Sequence, residues 1–380
     1  MIDRPRLTEA VQAALRRNPV TAILGPRQCG KTTLARMIFS RHKPVRYLDL
    51  EDPAVLASLE NPMTLLGKQK GLVIIDEIQR RPELFPVLRV LSDREDFHAR
   101  FLILGSASPD LIRQSSESLA GRIEYIEMGG FDLLEVGHDS WQNLWWRGGF
   151  PRSYLAESDI DSLAWREQFV STFLERDIPQ LGLNLPTMTL RRFWTMVAHY
   201  HGQTWNSTEI AASLGVSDHT SRRYLDILAG AYMIHLLPPW HENLAKRQRR
   251  APKVYFRDSG LLHALLGIGD PESLWRHPKC GASWEGFALE QVMRMVPSRD
   301  VYYWAVHGGP ELDLLVTWKG RRIGFEFKFA DAPRITAMMH QTAVDLRLHR
   351  IWVVYPGDKR YELGERVEAL PLDSLATVLR

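Results

Sequence analysis

The stretch that most constrains the fold of this chain is "TAILGPRQCGKTTLA", residues 21–35. Gly25, Gly30, Lys31 and Thr32 follow the spacing G-x-x-x-x-G-K-T. An apolar run of strand type precedes them, and a run with apolar residues at helical spacing follows. Because glycines permit tight backbone dihedrals, successive N–H groups and the helix N-terminus can face phosphate oxygens. The stretch predicts a phosphate-binding loop between a strand and a helix.

The ligand predicted for this loop is ATP or ADP together with Mg²⁺. Lys31 would reach the β- and γ-phosphates, and the Thr32 hydroxyl would bind the metal. The predicted nucleotide-binding residues are Gly25, Pro26, Arg27, Gln28, Cys29, Gly30, Lys31, Thr32 and Thr33.

A second apolar run, "LVIID", ends on two adjacent carboxylates, Asp76 and Glu77. A continuous apolar run is typical of a buried parallel strand, and open α/β sheets place ligands at the carboxyl ends of such strands. We assign Asp76 to Mg²⁺ and Glu77 to polarising the attacking water. The alternative for Glu77 is a surface acid at a strand end.

Two further stretches complete the predicted nucleotide site. "RFLILGSAS" has the pattern of a strand that ends in small polar residues, so Ser106, or else Ser108, is the candidate contact to the γ-phosphate. Arg122, in "SLAGRI", is the candidate charge-stabilising arginine, supplied in cis or by a neighbouring subunit. The alternative for Arg122 is a solvated loop arginine. "YLDLEDP", residues 47–53, is interpreted as another core strand whose acids only shape the site.

Composition restricts the environment and the partners. No stretch approaches the roughly 20 apolar residues of a membrane span, and the N-terminus has no signal-like apolar core. Two cysteines, Cys29 and Cys280, predict neither a disulfide framework nor a zinc cluster. We therefore expect a soluble, cytoplasmic protein. Since the net charge is only +3, a nucleic-acid partner would be bound by a local basic patch.

The middle of the chain carries a helix-turn-helix pattern. The first helix would start at Ser207 or Thr208 and end at Gly215, and the second would expose His219, Ser221, Arg222 and Arg223. "MIHLLPPW" would begin a wing, and the basic run "LAKRQRRAPK", residues 244–253, follows it. The predicted DNA contacts are Arg222, Arg223, Lys246, Arg247, Arg249 and Arg250, and Lys253 closes the run. The alternatives are a module that packs against neighbouring subunits and a solvated basic loop.

The tail contains a second candidate active site, in "PELDLLVTWKGRRIGFEFKFA". Period-two alternation places Glu326 and Lys328 on one face of a strand, and Asp313 lies on the preceding strand. This is the acid, acid, lysine pattern of PD-(D/E)XK nucleases. The predicted Mg²⁺ ligands are Asp313 and Glu326 with Glu285, while Lys328 would position a water. The alternatives are a satisfied ion-pair network and a fold that binds DNA without cutting it.

Five stretches carry a resemblance to a known family. "GPRQCGKTTLA", "LVIIDEIQ", "LILGSAS", "SLAGRI" and "WWRGGFPRSYLA" resemble prokaryotic AAA-type P-loop ATPases with a C-terminal PD-(D/E)XK nuclease-like domain. The resemblance implies an α/β fold in four parts. These are an AAA-type (ASCE) P-loop core with a parallel sheet at 1–140, a helical lid at 141–190, a winged helix at 191–250 and a restriction-endonuclease-like α/β domain at 251–380. It also implies self-association, with a hexameric ring as the analogy.

Together these features predict a Mg²⁺-dependent ATPase coupled to DNA binding or processing, as a motor or translocase, with branched DNA among the candidate substrates. The C-terminal domain would cut DNA or only bind it. The alternative is a nucleotide-switched regulatory protein with a non-cleaving docking domain.

Overall fold

The computed structural model describes residues 2–39, 44–106, 109–180, 186–242, 248–296 and 300–379, with backbone only for 109–113 and 180. The chain forms two compact units. Unit 1 extends to Gly130 and includes Gly230–Tyr232, and unit 2 contains the remaining residues. The first unit thus ends ten residues before the predicted boundary at 140, and the predicted lid, winged helix and tail share unit 2.

Unit 1 is an α/β layer structure with a parallel sheet. Its elements are α1 (Pro5–Arg17), β1 (Val20–Gly25), α2 (Lys31–Phe39), β2 (Val45–Asp49), α3 (Pro53–Ser58), α4 (Pro62–Leu66), β3 (Leu72–Asp76), α5 (Leu84–Ser92), β4 (Arg100–Ser106), α6 (Pro109–Ser118) and β5 (Ile123–Glu127). The strand order is β2-β3-β4-β1-β5, and every neighbouring pair is parallel.

The apolar runs of β1 and β3 explain this sheet. Both strands are buried along their whole length, as expected when helices cover both faces of a parallel sheet. Because the strands are parallel, their carboxyl ends share one edge. That edge carries Gly25, Asp76 and Ser106, the three strand-end residues that the sequence assigned to the nucleotide.

The first part of unit 2 is helical. Its elements are α7 (Leu133–Val136), α8 (Trp141–Arg147), α9 (Pro151–Tyr154), α10 (Asp159–Thr172), a π-helical stretch (Phe173–Asp177), α11 (Ile178–Gln180), α12 (Thr187–His199), β6 (Gln203–Thr204), α13 (Ser207–Leu214), α14 (Asp218–Gly230), β7 (Ile234–Leu237) and β8 (Lys253–Phe256). Strands β6, β8 and β7 form a three-stranded antiparallel sheet in that order.

The two helices predicted around Gly215 are present. Helix α13 begins at Ser207 and ends before Gly215, whose left-handed backbone (φ 69°) makes the turn. Helix α14 begins at Asp218 and exposes Arg222 and Arg223. The prediction that Ser221 is exposed is wrong, because Ser221 is fully buried. It lies three, four and seven positions before Tyr224, Leu225 and Leu228, on the apolar face of the helix.

The second part of unit 2 contains a six-stranded mixed sheet. Its elements are α15 (Ser259–Leu265), α16 (Pro271–Arg276), α17 (Cys280–Met295), β9 (Val301–Ala305), β10 (Glu311–Trp318), β11 (Arg321–Phe327), α18 (Ala337–Asp345), β12 (Arg350–Tyr355), β13 (Tyr361–Gly364), β14 (Val367–Pro371) and α19 (Leu375–Val378). The strand order is β13-β14-β12-β11-β10-β9. Within the described ranges, no helix is both long and apolar enough to cross a bilayer.

Candidate functional site

The phosphate loop of unit 1 joins β1 to α2 and has the backbone that the glycine spacing predicted. Gln28 and Gly30 both have positive φ, at 62° and 98°. Gly25 is required for a different reason: a Cβ atom on it would lie 1.9 Å from the carbonyl oxygen of Met128. The strand that ends at Gly25 therefore runs too close to neighbouring backbone for a side chain.

Lys31 is held inside this loop. Its side chain is buried, and Nζ donates to the carbonyl oxygens of Gly25 at 3.0 Å and Pro26 at 2.8 Å. The ammonium group thus lies over the start of the loop, where it can reach a bound phosphate by exchanging carbonyl partners.

Asp76 forms the centre of a polar cluster at the carboxyl edge of the sheet. Its Oδ2 accepts hydrogen bonds from the Thr32 hydroxyl at 2.8 Å and from the Tyr47 hydroxyl at 2.6 Å, and its Oδ1 accepts from the Glu77 amide. A threonine hydroxyl beside a buried carboxylate is a hard-oxygen donor set. Such a set suits Mg²⁺, which takes one or two protein ligands and completes its shell with phosphate and water.

Tyr47 is a functional candidate that sequence reasoning missed. It lies on β2, next to β3 in the sheet, and burial together with its hydrogen bond to Asp76 raises the pKa of its phenol. The signal in the sequence is weak, because a tyrosine near a strand end is common. Only the neighbouring positions of β2 and β3 bring its hydroxyl to Asp76.

Glu77 and Ser106 lie near the cluster. Glu77 has left-handed backbone (φ 55°), and its carboxylate accepts a hydrogen bond from the Gln79 amide. Ser106 pairs with Gly25 across β4 and β1, and its buried Oγ has no hydrogen-bond partner in the part of the chain described. An unpaired buried hydroxyl beside the phosphate loop is a suitable group for contacting a phosphate oxygen. Ser108 lies outside the described residues.

Arg122 does not lie at the nucleotide edge. It directly precedes β5, and its carbonyl accepts from the amide of Val20, the first residue of β1. The phosphate loop follows the other end of β1, five residues or about 17 Å away. The prediction that Arg122 acts in cis is therefore wrong. Its guanidinium pairs with Asp93 at 2.6 Å on the surface, and action on a neighbouring subunit stays a prediction.

Arg4 is a second residue that sequence reasoning missed. Its buried guanidinium donates to the carbonyl oxygens of Gly129 at 3.0 Å and Gly130 at 2.9 Å, and to that of Cys29 at 3.4 Å. Arg4 thus ties the phosphate loop to the segment that follows β5. Cys29 is fully buried.

In unit 2 the structure brings together Asp313, Glu326 and Lys328. Strands β10 and β11 form an antiparallel hairpin in which Leu314 pairs with Phe325, so Asp313 and Glu326 are directly opposite one position further. Lys328 Nζ lies 2.8 Å from Glu326 Oε2 and 3.8 Å from Asp313 Oδ2. The lysine side chain is partly exposed, while both carboxylates are buried.

Glu285 adjoins this group from α17, but it is engaged by other partners. The Tyr255 hydroxyl donates to its Oε1 at 2.5 Å, and Lys253 Nζ lies 3.5 Å from the same atom. Among the described residues, no three acidic, histidine or cysteine side chains are placed to hold one metal ion. The predicted three-ligand set of Asp313, Glu326 and Glu285 is therefore not assembled, and we derive no metal-dependent step at this cluster.

Lys253 corrects the interpretation of the basic run. The sequence places it at the end of the candidate basic patch, with a solvated loop as the alternative, yet it is the first residue of β8 and is buried among carboxylates. Nζ lies 2.5 Å from Glu311 and 3.7 Å from Asp313. We name the six side chains Lys253, Glu285, Glu311, Asp313, Glu326 and Lys328 the acid-lysine cluster.

Burial is the largest single influence on the pKa shifts in the acid-lysine cluster. Burial, reinforced by the charge of Asp313, raises the pKa of both Glu285 and Glu326. Burial alone lowers the pKa of Lys328, but Asp313 and Glu326 more than offset this, so the net direction is upward. Burial also lowers the pKa of Lys253, but Tyr255, Glu285, Asp313 and Glu311 together more than offset this, so its net direction is upward as well. Both lysines are therefore charged at neutral pH.

Glu290 lies five residues after Glu285 on α17, about 140° around the helix from it, and belongs to a separate network. Its buried carboxylate lies 2.9 Å from His235 Nδ1, 3.8 Å from Arg257 and 3.7 Å from Arg294. Burial raises the pKa of Glu290, but Arg257 and His235 lower it more, to about 2.

The candidate DNA contacts are only partly described. Arg222 and Arg223 are exposed, and Arg222 Nε donates to Ser207 Oγ at 3.4 Å. Arg249 and Arg250 are exposed as well, and Arg249 donates to Thr204 Oγ1 at 3.1 Å. Lys246 and Arg247 lie outside the described residues.

Two mycobacterial proteins match nearly the whole length of this chain. Uncharacterized proteins of Mycobacterium tuberculosis (Rv2008c) and Mycobacterium bovis (Mb2031c) are each 50% identical to this chain over 377 residues, covering 99% of it and 85% of the relative. A family model described as "AAA domain" matches residues 17–137, which contain the phosphate loop and the Asp76 cluster. This chain belongs to the same family as these mycobacterial proteins. The AAA-domain match identifies that family as one of P-loop ATPases.

The rest of this AAA-domain ATPase matches two families described only as domains of unknown function. One of them, DUF8612, covers residues 138–272, and the other, DUF4143, covers residues 280–375. Among solved structures, a Walker-type ATPase of Pyrococcus abyssi is similar at 14% identity and a TM-score of 0.49, covering 70% of this chain and 96% of that one. The DNA clamp loader delta protein of Bacillus subtilis gives 10% and 0.28, covering 58% and 87%. The family assignment rests on the sequence relatives and the AAA-domain match.

Proposed function

We propose that this protein hydrolyses ATP in a Mg²⁺-dependent reaction and couples hydrolysis to binding or processing DNA. The proposed ATP hydrolysis rests on one observation. The Thr32 hydroxyl donates a hydrogen bond to Asp76 Oδ2, and Glu77 is the next residue along the chain. These are the hydroxyl, the metal-binding acid and the water-polarising acid that phosphoryl transfer to water needs.

The protein side chains divide the work in this proposal. Thr32 and Asp76 would hold Mg²⁺, which would supply positive charge beside the phosphates of bound ATP. Lys31 exchanges its carbonyl partners for phosphate oxygens, and the loop amides between Gly25 and Lys31 hold the remaining oxygens. Glu77 accepts a hydrogen bond from the attacking water, and the unpaired Ser106 hydroxyl contacts the γ-phosphate or that water.

The proposed coupling to DNA rests on charge in unit 2. Arg249 and Arg250 are exposed three to four residues before Lys253, so their Cα atoms lie within about 14 Å of the acid-lysine cluster. Exposed arginines beside a lysine and buried carboxylates would place a phosphodiester next to Lys328. We include in the proposal a winged helix formed by α13, α14 and the β6-β8-β7 sheet, and a nuclease-like fold for the six-stranded sheet.

Assembly is part of the same proposal. The protein would form a ring, with a hexamer as the analogy, in which Arg122 of one subunit faces the nucleotide of the next. Its surface position on the amino edge of the sheet requires a neighbouring chain for this role.

One observation favours a second candidate function. Lys253 already pairs with carboxylates inside the acid-lysine cluster. A cluster neutralised from within suits a non-cleaving docking domain, in a nucleotide-switched regulatory protein.

The test is ATP hydrolysis by the purified protein with no DNA and with duplex, single-stranded or branched DNA, while cleavage is followed on a gel. Lys31→Ala should abolish nucleotide binding. Glu77→Gln should retain binding and lower hydrolysis by roughly 10²- to 10⁴-fold. Its control is Glu95→Gln, because Glu95 is exposed and lies before β4, at the opposite edge of the sheet. Normal hydrolysis by Glu77→Gln would remove the assigned role.

The DNA half of the proposal has its own outcomes. Stimulation by one form of DNA would support a DNA-coupled ATPase and identify the substrate, and loss of cutting in Lys328→Ala with intact ATPase would assign the nuclease. Hydrolysis that is indifferent to every DNA, without cutting, would favour the regulatory protein.

A further inference from the structure

The acid-lysine cluster contains a lysine that the acid, acid, lysine pattern does not require. Lys253 comes from β8, in the three-stranded sheet, whereas Asp313, Glu326 and Lys328 come from the β10-β11 hairpin and its end. Its side chain is about 5% exposed. Burial of an ammonium group at that depth is costly unless carboxylates surround it.

Carboxylates do surround it. Lys253 Nζ lies 2.5 Å from Glu311 Oε1, 3.5 Å from Glu285 Oε1 and 3.7 Å from Asp313 Oδ1. The ring of Tyr303 lies 5.5 Å from the same nitrogen. One positive group is thus placed among three acids from two segments of the chain, Glu285 on α17 and Glu311 and Asp313 on β10.

We infer that the Lys253 ammonium is a built-in cation of this cluster and fills the position between Glu285, Glu311 and Asp313. As placed here these three carboxylates do not form a metal site, and they would have to close around a divalent ion if the ammonium were removed. A divalent ion bound by these oxygens would need to lie at about 2.0–2.6 Å from them. It would then coincide with or directly adjoin Nζ, so the two cannot be present together.

The cluster is consequently divided into a closed half and an open half. Glu285, Glu311 and Lys253 form the closed half. Glu326 and Lys328 form the open half, and Asp313 lies between the halves, with Oδ1 toward Lys253 and Oδ2 toward Lys328. Glu285 therefore positions Lys253 and is not a metal ligand. This inference deepens the proposed function at the same site and rests on it for its biological meaning, but its test needs no DNA.

The experiment counts Mn²⁺ ions bound to the full-length chain without nucleotide or DNA, by equilibrium dialysis into the millimolar range. An Asp76→Asn background removes the ion site of unit 1. In that background Lys253→Met should bind Mn²⁺ at least about tenfold more tightly than the parent, because a like charge at the ion position is gone. Its unfolding temperature should also rise with added Mn²⁺. Lys279→Met is the matched control, since Lys279 Nζ donates to the His199 carbonyl.

A folded Lys253→Met protein with the parent's Mn²⁺ affinity would overturn the inference. If Lys253→Met folds only when Mn²⁺ is present, the inference is supported, because the ion replaces the ammonium. If it does not fold at all, Glu285→Gln decides: unchanged Mn²⁺ affinity supports a positioning role, and a tenfold loss makes Glu285 a ligand and refutes it.

The DNA-cutting assay keeps this inference separate from the proposed function. A gain of Mn²⁺ affinity in Lys253→Met without any cutting by the parent would count against the nuclease and leave the built-in cation standing. An absent gain would refute the built-in cation whatever the cutting assay shows.

Discussion

The Tyr47 hydroxyl provides the sharpest test of the Asp76 cluster. It donates to Asp76 Oδ2 at 2.6 Å, and the same oxygen accepts from Thr32 at 2.8 Å. Tyr47→Phe removes the donor and keeps the ring, so the carboxylate loses one of the groups that fix its orientation toward the metal position.

The expected size of the effect of Tyr47→Phe on Mg²⁺ dependence can be worked out in two ways, from the free energy of the lost hydrogen bond and from the typical loss of metal affinity. A hydrogen bond to a charged group contributes roughly 1.5–3 kcal/mol. Loss of a partner that orients a metal-binding side chain typically lowers metal affinity or activity about 10- to 100-fold, which corresponds to about 1.4–2.8 kcal/mol. Because the ranges agree, we expect the Mg²⁺ concentration for half-maximal ATP hydrolysis to rise about 10- to 100-fold in Tyr47→Phe.

The assay is a Mg²⁺ titration of ATP hydrolysis, with nucleotide binding measured in parallel without Mg²⁺. Tyr125→Phe is the matched control. Tyr125 lies on β5 of the same sheet and shares a hydrogen bond with Ser115 at 2.8 Å, away from Asp76. Binding of metal-free nucleotide should be unchanged in both variants, because the Tyr47 hydroxyl is bonded to Asp76 and the Tyr125 hydroxyl to Ser115 and Ser116, none of which belongs to the phosphate loop.

Two results would refute the reasoning. An unchanged Mg²⁺ dependence in Tyr47→Phe would show that the phenol does not orient Asp76. An equal shift in Tyr125→Phe would show that the effect is a general loss of stability of the sheet.

Two further predictions concern binding and stability. Gly25→Ala should abolish nucleotide binding, because its methyl group would lie 1.9 Å from the Met128 carbonyl oxygen. Gly269→Ala is the control and should bind nucleotide normally, because a methyl group there meets nothing within 4 Å. Normal nucleotide binding by Gly25→Ala would contradict the geometry. Glu290→Gln should lower the free energy of unfolding by about 3 kcal/mol at neutral pH, because the pKa falls from 4.5 to about 2 on folding. A depressed folded-state pKa gives stability that is present above about pH 4.5 and lost as the pH falls toward 2, so urea unfolding of the two proteins should converge there. The exposed Glu272→Gln, which likewise pairs with an arginine four residues on, should change stability by less than about 1 kcal/mol, and an equal loss in both variants would refute the role of burial.

Local patterns predicted the parts of this protein that depend on neighbours in sequence. The G-x-x-x-x-G-K-T spacing predicted the phosphate loop, because its backbone and its helix start lie within nine residues. The apolar run before Asp76 predicted a buried parallel strand, which the structure contains. Alternation along β11 placed Glu326 and Lys328 on one face, because side chains of a strand alternate with a period of two.

Tertiary structure decided what depends on which strands become neighbours. Arg122 is close to the nucleotide motifs in sequence, yet the parallel direction of β1 and β5 puts it at the opposite edge of the sheet. Tyr47 reaches Asp76 only because β2 lies beside β3. Neither relation has a local signature, since strand order is set by how helices cover the sheet.

The same reason explains Lys253. By itself the sequence determined a basic run, and composition gives the lysine at its end no distinction from the arginines before it. Pairing of β8 with β6 and β7 buries that lysine, and the β10-β11 hairpin and α17 bring Glu311, Asp313 and Glu285 to it from 32 to 60 residues away. Whether a charged residue is solvated or serves as an internal counter-ion depends on the surfaces that fold around it, and only the tertiary structure contains them.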